Sequence, residues 1–301
     1  MKDKTALITG GTGFIGENLA KKLADDGWLV NLLCRNKQNR SECLGSAGTI
    51  NVYEYDGHCE SIIDAFSQAQ PSIVFHLAAY FAAEHQIEDV EKLISSNLVF
   101  GSQLLEVMAR TNVRNLVNTG TSWEHYNNCA YNPVNLYAAT KQAFEKIIDY
   151  YVEAREFKVY TLKLFDTYGN GDCRGKLIDH VISSIYNRTP LSFSPGDQLI
   201  DIVHVNDVVR AYKQAAISLE NEPIPVHKKF GVSSKNPIPL KDLVSLIQKL
   251  MNDSTKVEWG GRSYRDREVM QPWTKFNCLD DWEPTVNLEK GLADLIEIKK
   301  K

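Results

Sequence analysis

Tyr137 and Lys141 stand four residues apart in Tyr-Ala-Ala-Thr-Lys, so a helix through them presents a phenol and an ammonium on one face. A free phenol ionises near pH 10, at about that value. A neighbouring cation stabilises the phenolate and brings the group toward the range in which it can both give and take a proton. Hydroxyls arrive just upstream, in Thr119-Gly-Thr-Ser122. One of them can hold a carbonyl or alcohol oxygen while Tyr137 handles its proton. A Tyr and a Lys at this spacing also arise by chance, so the pair acquires meaning only from the elements that position it.

A second group is the run Thr9-Gly-Gly-Thr-Gly-Phe-Ile-Gly16, with Gly10, Gly13 and Gly16 three residues apart. A purely structural turn is the plain reading. The turn lies, however, between an apolar run, Thr5–Thr9, and a helical pattern carrying Leu19, Ala20, Leu23 and Ala24 and stopped by Gly27. Glycine then serves the tight turn, the approach of backbone to a pyrophosphate and close helix–sheet packing, and the helix N-terminus supplies free N–H groups to the anion. The spacing is one residue longer at the front than Gly-x-Gly-x-x-Gly. This reading makes the ligand a nicotinamide dinucleotide, whose oxidised ring adds to the charge that favours a Tyr137 phenolate. The next strand ends in Leu33-Cys34-Arg35-Asn36-Lys37, with no acid to meet a ribose 2′-hydroxyl. Arg35 therefore points to NADP(H), with NAD(H) left open; the other reading of Arg35 is a solvated surface charge.

The elements that must carry these residues alternate. Strand-like runs at Thr5–Thr9, Trp28–Cys34, Asn51–Tyr55, Ile73–Leu77, Asn115–Asn118 and Lys158–Phe165 are separated mostly by helical patterns. Two of these helices are Glu91–Thr111 and Tyr137–Glu153. The alternation predicts an α/β fold, a Rossmann-type doubly wound parallel sheet, whose strands are buried on both faces and so read as nearly unbroken apolar runs. The rhythm breaks after Phe165, and nine of the ten prolines lie from residue 133 onward. Residues 1–168 are expected to form the dinucleotide-binding domain. Residues 169–301 are expected to form mainly a smaller C-terminal α/β substrate region, with 198–216 returning to the Rossmann sheet.

Composition narrows the class further. With 43% hydrophobic and 24% charged residues the chain can bury a sizeable core, and a net charge of −4 argues against a nucleic-acid partner. No apolar run approaches the roughly 18 residues of a membrane span, and the first residues lack a signal peptide's apolar core. The six cysteines and seven histidines show no metal-ligand spacing. These features predict a cytoplasmic protein with reduced thiols and no metal.

Taken together, the glycine turn, His76-Leu-Ala-Ala79, Asn97, Ser122, Tyr137 with Lys141, Leu164-Phe-Asp-Thr-Tyr-Gly169, Asp201–Asp207 and Trp282-Glu-Pro-Thr-Val-Asn-Leu-Glu-Lys-Gly-Leu292 resemble the extended short-chain dehydrogenase/reductases. Within them the chain is similar to the NAD-dependent epimerase/dehydratase family. Thr119-Gly-Thr-Ser-Trp and Asn135-Leu-Tyr-Ala-Ala-Thr-Lys141 look most like nucleotide-sugar 4-ketoreductases of the CDP-paratose and CDP-abequose synthase type. The resemblance implies pyrophosphate contacts from Gly10, Gly13, Phe14, Ile15 and Gly16. It places Asp56 at the adenine and Leu77, Ala78 and Ala79 at the nicotinamide ribose. It makes Ser122 the catalytic hydroxyl with Thr121 as the alternative, Tyr137 the acid/base, and Lys141 the residue that holds the ribose and lowers the tyrosine pKa. Its substrate is a nucleotide-diphosphate sugar, which Thr121, Trp123, Glu124, Asp166, Lys176 and Arg267 would contact, and its long helices Glu91–Thr111 and Tyr137–Glu153 would pair two copies into a homodimer.

The departures carry information as well. Many relatives have Asn where Asp166 stands and Arg where Ile200 stands; Arg265 or Arg267 would then supply the missing charge. Dehydratase members follow the catalytic Thr with Asp and Glu, whereas Trp123 and Glu124 follow Ser122 here. Epimerases acting beside a ketone carry Cys and His where Glu124 and Lys176 stand. The expectation is NADP-dependent reduction of the 4-keto group of a nucleotide-activated 6-deoxy or 3,6-dideoxy sugar, in bacterial surface-polysaccharide sugar biosynthesis. The alternatives are a 4-epimerase with tightly bound NAD, a 4,6-dehydratase and a non-catalytic dinucleotide sensor.

Overall fold

The computed structural model describes residues 4–35 and 50–300. Asn36 and Lys37 of the strand-end motif lie outside these described residues. The first half runs β1 (Thr5–Thr9), α1 (Phe14–Asp25), β2 (Leu29–Cys34), β3 (Ile50–Glu54), α2 (Cys59–Ala69) and β4 (Ile73–His76). One long helical stretch follows, comprising α3 (Asp89–Ile94), a π-helical turn (Ser95–Val99) and α4 (Phe100–Arg110). Next come β5 (Asn115–Thr121), two short 3-10 turns, α5 (Leu136–Arg155), β6 (Lys158–Leu164) and β7 (Asp166–Tyr168). The remainder is α6 (Leu177–Asn187), β8 (Leu191–Phe193), β9 (Leu199–Ile200), β10 (Ile202–His204), α7 (Val205–Glu220), β11 (Val226–Val232), β12 (Ile238–Pro239), α8 (Leu240–Met251), β13 (Val257–Trp259) and α9 (Leu288–Lys300).

Seven parallel strands form the central sheet in the order β11-β6-β5-β4-β1-β2-β3. Their apolar runs divide by the two-residue period of a strand: Ala6 and Ile8 face a core shared with α1 and α7, while Leu7 faces a core built from α2, α4 and α5. The order reverses direction between β1 and β4, and there the crossovers part and leave a crevice at the carboxyl ends of the strands. All the strands expected from the sequence form, with ends shifted by a residue or two, except that β5 runs on to Thr121.

Two expectations change form. The helix expected at Glu91–Thr111 contains the π turn, whose wide winding delivers the buried Asn97 side chain to Tyr80 and Thr140. The segment 198–216 does not rejoin the seven-stranded sheet as a strand. Its β10 pairs with β7 in a separate two-stranded sheet, and only α7 returns, lying against β5, β6 and α1. The strand that does rejoin is β11, beside β6 at the sheet edge. There His227 donates from Nδ1 to Asp149 of α5 (2.6 Å) and accepts at Nε2 from Thr161 of β6 (2.8 Å). A third core, from α6, α8, α9 and the short strands, carries the C-terminal region.

A buried carboxylate fastens that region to the sheet. Asp207, in the first turn of α7, accepts from the backbone N–H groups of Thr285 (3.1 Å) and Val286 (2.9 Å), from the Thr285 hydroxyl (3.0 Å) and from Arg210 (2.6 Å). Removing a buried, multiply bonded carboxylate strands its donors. Asp207→Ala is expected to lower the unfolding free energy by about 3 kcal/mol, measured by urea denaturation. A loss under about 0.5 kcal/mol, the range of ordinary surface substitutions, would show that the clamp is dispensable.

Candidate active site

The glycine turn closes on itself. Gly10 has φ +70°, a conformation side chains rarely adopt, and a Cβ there would meet the Ala78 backbone nitrogen at 2.6 Å. A Cβ on Gly16 would meet the Gly10 carbonyl oxygen at 2.1 Å. Gly13 N–H donates to Gly10 O (3.0 Å), and Gly13 then caps α1 with extended backbone and no side-chain cap. The first N–H groups of α1 therefore point into the crevice, and the turn has the shape that a pyrophosphate cradle needs. Across the switch point Leu77 N–H donates to Thr9 O (3.1 Å) and Ala78 N–H to Thr9 Oγ1 (3.3 Å), which sets Leu77, Ala78 and Ala79 opposite the turn. Thr9 Oγ1 also lies 2.8 Å from His76 Nδ1. Burial, and then Lys141, push the His76 pKa down to about 3, so this histidine is neutral. Arg35, at the end of β2, and Asp56, just beyond β3, are both exposed at the same sheet edge. The Asp56 carboxylate accepts from His58 N–H (2.9 Å), which holds its pKa below the usual value.

Tyr137 and Lys141 lie in the first turns of α5, capped by Asn135, whose Oδ1 accepts from Ala138 N–H (2.9 Å). Asn135 Nδ2 also donates to the carbonyls of Ala82 (3.3 Å) and Ala83 (2.9 Å), tying the loop after β4 to the start of the helix. Asn97 braces the same place, accepting from Tyr80 N–H (2.8 Å) and donating to Thr140 Oγ1 (2.9 Å). Ser122 follows the end of β5, at 8% exposure. Neither the Tyr137 hydroxyl nor the Lys141 ammonium makes a hydrogen bond or ion pair with another described residue. Lys141 is 1% exposed, and burial pushes its pKa down to about 8 against the opposing pull of Glu124 and Glu145. Tyr137 moves contrary to the simple expectation from its spacing to Lys141. Burial raises it, Glu124 raises it further, and Arg174 acts in the opposite direction.

The remaining expected residues separate into two sets. Lys176 lies 4.0 Å from Asp166 and 5.0 Å over the Phe81 ring, and Phe81 meets Tyr137 edge-on at 4.9 Å and Trp123 at 5.9 Å. Asp166, Lys176 and Trp123 thus belong with Tyr137. Phe81 joins them although no spacing in the sequence marks it. Arg174 is a second residue without a sequence signal: it lies 4.6 Å over the Phe14 ring of the glycine turn and donates to Thr167 O (2.9 Å). Arg267 instead donates to Asn132 and lies over Tyr126 (4.4 Å), and Arg265 pairs with Glu84 (2.7 Å).

Two expected substrate contacts are turned elsewhere. Thr121 Oγ1 accepts from Trp123 N–H (3.3 Å), capping the Ser122–Glu124 turn. Glu124 is fully buried; Oε1 accepts from Thr121 N–H (3.0 Å) and Oε2 from Lys163 (2.6 Å). A reciprocal capping box has drawn both side chains into the turn that presents Ser122. His125 is explained by the same pocket. Lysine can only donate, so His125 Nε2 accepts from Lys163 (2.9 Å) and Nδ1 donates to Cys129 O (3.1 Å).

Comparison with known proteins agrees with this geometry. The model of the NAD dependent epimerase/dehydratase family matches residues 6–227. CDP-abequose synthase of Yersinia pseudotuberculosis is 28% identical over 278 residues, covering 91% of this chain and 93% of that protein. Among solved structures, the UDP-glucose 4-epimerase of Thermotoga maritima with UDP-glucose superposes with a TM-score of 0.87 at 21% identity, covering 98% of both chains. MoeE5 in complex with UDP-glucose and NAD superposes with a TM-score of 0.85 at 22% identity, again over 98% of both. With its glycine cradle, its Tyr–Lys helix and a family match across most of its length, the chain belongs to the NAD dependent epimerase/dehydratase family of nucleotide-sugar-modifying enzymes.

Proposed function

We propose that this protein reduces the 4-keto group of a nucleotide-diphosphate 6-deoxy or 3,6-dideoxy sugar, using NADPH. The observation that carries the reading is the inward turn of Glu124. The carboxyl group placed to take a proton from carbon in a dehydratase is capping a turn and paired with Lys163, so it is not free for that work. At the crevice Asp166 lies beside Lys176, and the Ser122 and Tyr137 hydroxyls are oxygen-directed groups. Similarity to a CDP-abequose synthase over nearly the whole chain supports the same reading. The likeness to 4-epimerases favours the main alternative, in which C4 is oxidised and reduced again on a retained dinucleotide.

A bound nicotinamide dinucleotide supplies the hydride. The chain supplies the rest. The glycine turn and the N-terminus of α1 hold the pyrophosphate, and the Lys141 ammonium, which makes no hydrogen bond or ion pair with another described residue, holds ribose hydroxyls. Ser122 donates a hydrogen bond to the keto oxygen, and Tyr137 delivers the proton that turns that oxygen into a hydroxyl. Burial keeps Tyr137 protonated, which is the form a reductase needs at the start of each cycle. Phe81 and Trp123 wall the sugar, while Lys176 supplies a cation for the diphosphate. Arg35 takes the 2′-phosphate, since no carboxylate stands at the end of β2. Exposed Val90, Ile94 and Val99 on the long helical stretch and Tyr150 on α5 provide an apolar surface for a homodimer. Sedimentation of the purified chain at the single-copy mass of 34.0 kDa would refute that pairing.

Incubated with a panel of 4-keto-6-deoxy nucleotide sugars, the protein is expected to consume one NADPH per sugar reduced, followed by nicotinamide absorbance. Tyr137→Phe is expected to bind the dinucleotide normally and lose about 10²–10⁴-fold in turnover. Tightly held NAD in the purified protein, with interconversion of two 4-epimers and no net cofactor use, would establish the epimerase instead.

Arg35→Ala is expected to weaken NADPH binding by about tenfold or more in fluorescence titrations, with NADH little changed, because a charge-assisted contact has no counterpart on a hydroxyl. Equal losses for the two dinucleotides would remove Arg35 from the phosphate site.

A further inference from the structure

Beneath the Tyr137–Lys141 pair lies a set of buried charges that the chemistry above leaves unused. Glu145 stands one helical turn beyond Lys141, so Tyr137, Lys141 and Glu145 share one face of α5. Glu124 and Glu145 are both fully buried, and Lys163 on β6 is 2% exposed. Lys163 Nζ is 2.6 Å from Glu124 and 3.2 Å from Glu145, and Lys229 on β11 reaches Glu145 at 2.8 Å. Glu145 has ion-pair distances on both oxygens yet no well-aligned hydrogen bond on either. Burying ions costs several kcal/mol each, about what apolar residues of similar volume would avoid, so such a set is a poor device for stability. Lys163 already satisfies Glu124. Lys229 answers Glu145, so the two carboxylates are matched by two lysines, and Lys141, one helical turn from Glu145, is the buried cation of the set that makes no hydrogen bond or ion pair with another described residue.

We propose that Glu145, together with Glu124, is a positioning residue for the reaction: the two carboxylates hold Lys141 as an ammonium inside the protein. The inference rests on Tyr137 and Lys141 being the working pair. Lysine buried with no counter-charge loses its proton and could neither grip ribose hydroxyls as a cation nor stabilise a phenolate. The titratable groups packed around it come from every side: Tyr137 and Glu145 from α5, Glu124 and His125 from the turns after β5, His76 from β4, Lys163 from β6, and Lys229 beyond Glu145 from β11. His76 and His125 are both held neutral, chiefly by burial, so the carboxylates provide the local negative charge. Burial beside Glu145 pushes Glu124 up to about 7. Burial opposes ionisation of Glu145 too, but Lys163 and Lys229 outweigh it and hold its pKa low. Above neutrality both carboxylates are charged, which is where Lys141, pushed down to about 8, needs them.

The test titrates the full-length protein with NADPH, and with NADH in parallel, by nicotinamide fluorescence from about pH 6 to 10, alongside turnover on a 4-keto sugar. In the wild type both affinity and turnover are expected to fall on the alkaline side as Lys141 loses its proton. Removing an anion lowers a lysine pKa, so Glu145→Gln should move that limb about one pH unit or more toward acid. Glu145→Asp keeps the charge and should leave the limb in place. A role in packing reverses this pattern, because Gln preserves the shape of Glu and Asp does not. A limb that stays put in Glu145→Gln, or moves equally in Glu145→Asp, overturns the inference, as does a wild type with no alkaline limb in binding. Should Glu145→Gln fail to fold, Glu145→Asp decides alone: an unmoved limb supports the inference and a shifted one overturns it. Undiminished turnover in Tyr137→Phe would instead overturn the reading of the working pair.

Discussion

Seven strands run parallel in one sheet, and every crossover must therefore bring the chain back to the same starting edge. All carboxyl ends consequently collect at the opposite edge. The glycine turn after β1, the Leu77–Ala79 stretch after β4, the Ser122 turn after β5 and Asp166 after β6 are far apart in the chain but open onto one crevice for that reason. The reversal between β1 and β4 is what keeps it open. The cradle geometry depends on this in turn: Gly10 tolerates no Cβ because Ala78, from the far side of the switch point, already occupies the space.

The second organising element is α5, which has to serve two masters. One face joins the core through Phe144, Ile148 and Val152, all buried. Another carries Tyr137, Lys141 and Glu145 against the strand ends. Two buried carboxylates are costly unless matched, and here Lys163 and Lys229 lie at ion-pair distance from Glu124 and Glu145. The Thr121–Glu124 capping box has a double effect on it. It shapes the turn that presents Ser122, and it carries Glu124 inward to Lys163. The Ser122 hydroxyl and the Glu124 carboxylate are thereby sent in different directions, although the two residues stand only two positions apart.

The C-terminal region depends on fastening more than on strand pairing. Its β strands are two or three residues long and pair two by two. It is held by its own apolar core and by the Asp207 clamp onto Thr285 and Val286. Bridges such as Arg265 to Glu84 connect it across the crevice to the loop that also carries Phe81. Motion of one side relative to the other would alter the same aromatic wall that lies against Tyr137.

Read without coordinates, the chain declares its sheet, its glycine turn and its Tyr–Lys helix, because each of these rests on local periodicity: two for strands, 3.6 for helices, and glycines where backbone must approach backbone. Thr5–Thr9, Gly10, Gly13, Gly16, Tyr137 and Lys141 were legible on that basis. Direction of side chains was not. Thr121 and Glu124 read as groups free for substrate, whereas the capping box they form with each other, and a contact of Glu124 with Lys163 thirty-nine residues away, turn them inward. Phe81 and Arg174 carry no pattern at all: Phe81 enters the site on a loop tied down by Asn97 and Asn135, and Arg174 is held by Asp172 and the Thr167 carbonyl. The pairing of β11 with β6 at the sheet edge was likewise not marked in the sequence, and it brings His227 together with Asp149 and Thr161, three residues from three elements. Local sequence determines which elements form, since their hydrogen bonds and apolar faces repeat over a few residues. The pairing of buried charges and the aim of each polar group are decided in three dimensions, because the energy of a buried ion depends on partners that only the finished fold brings within reach.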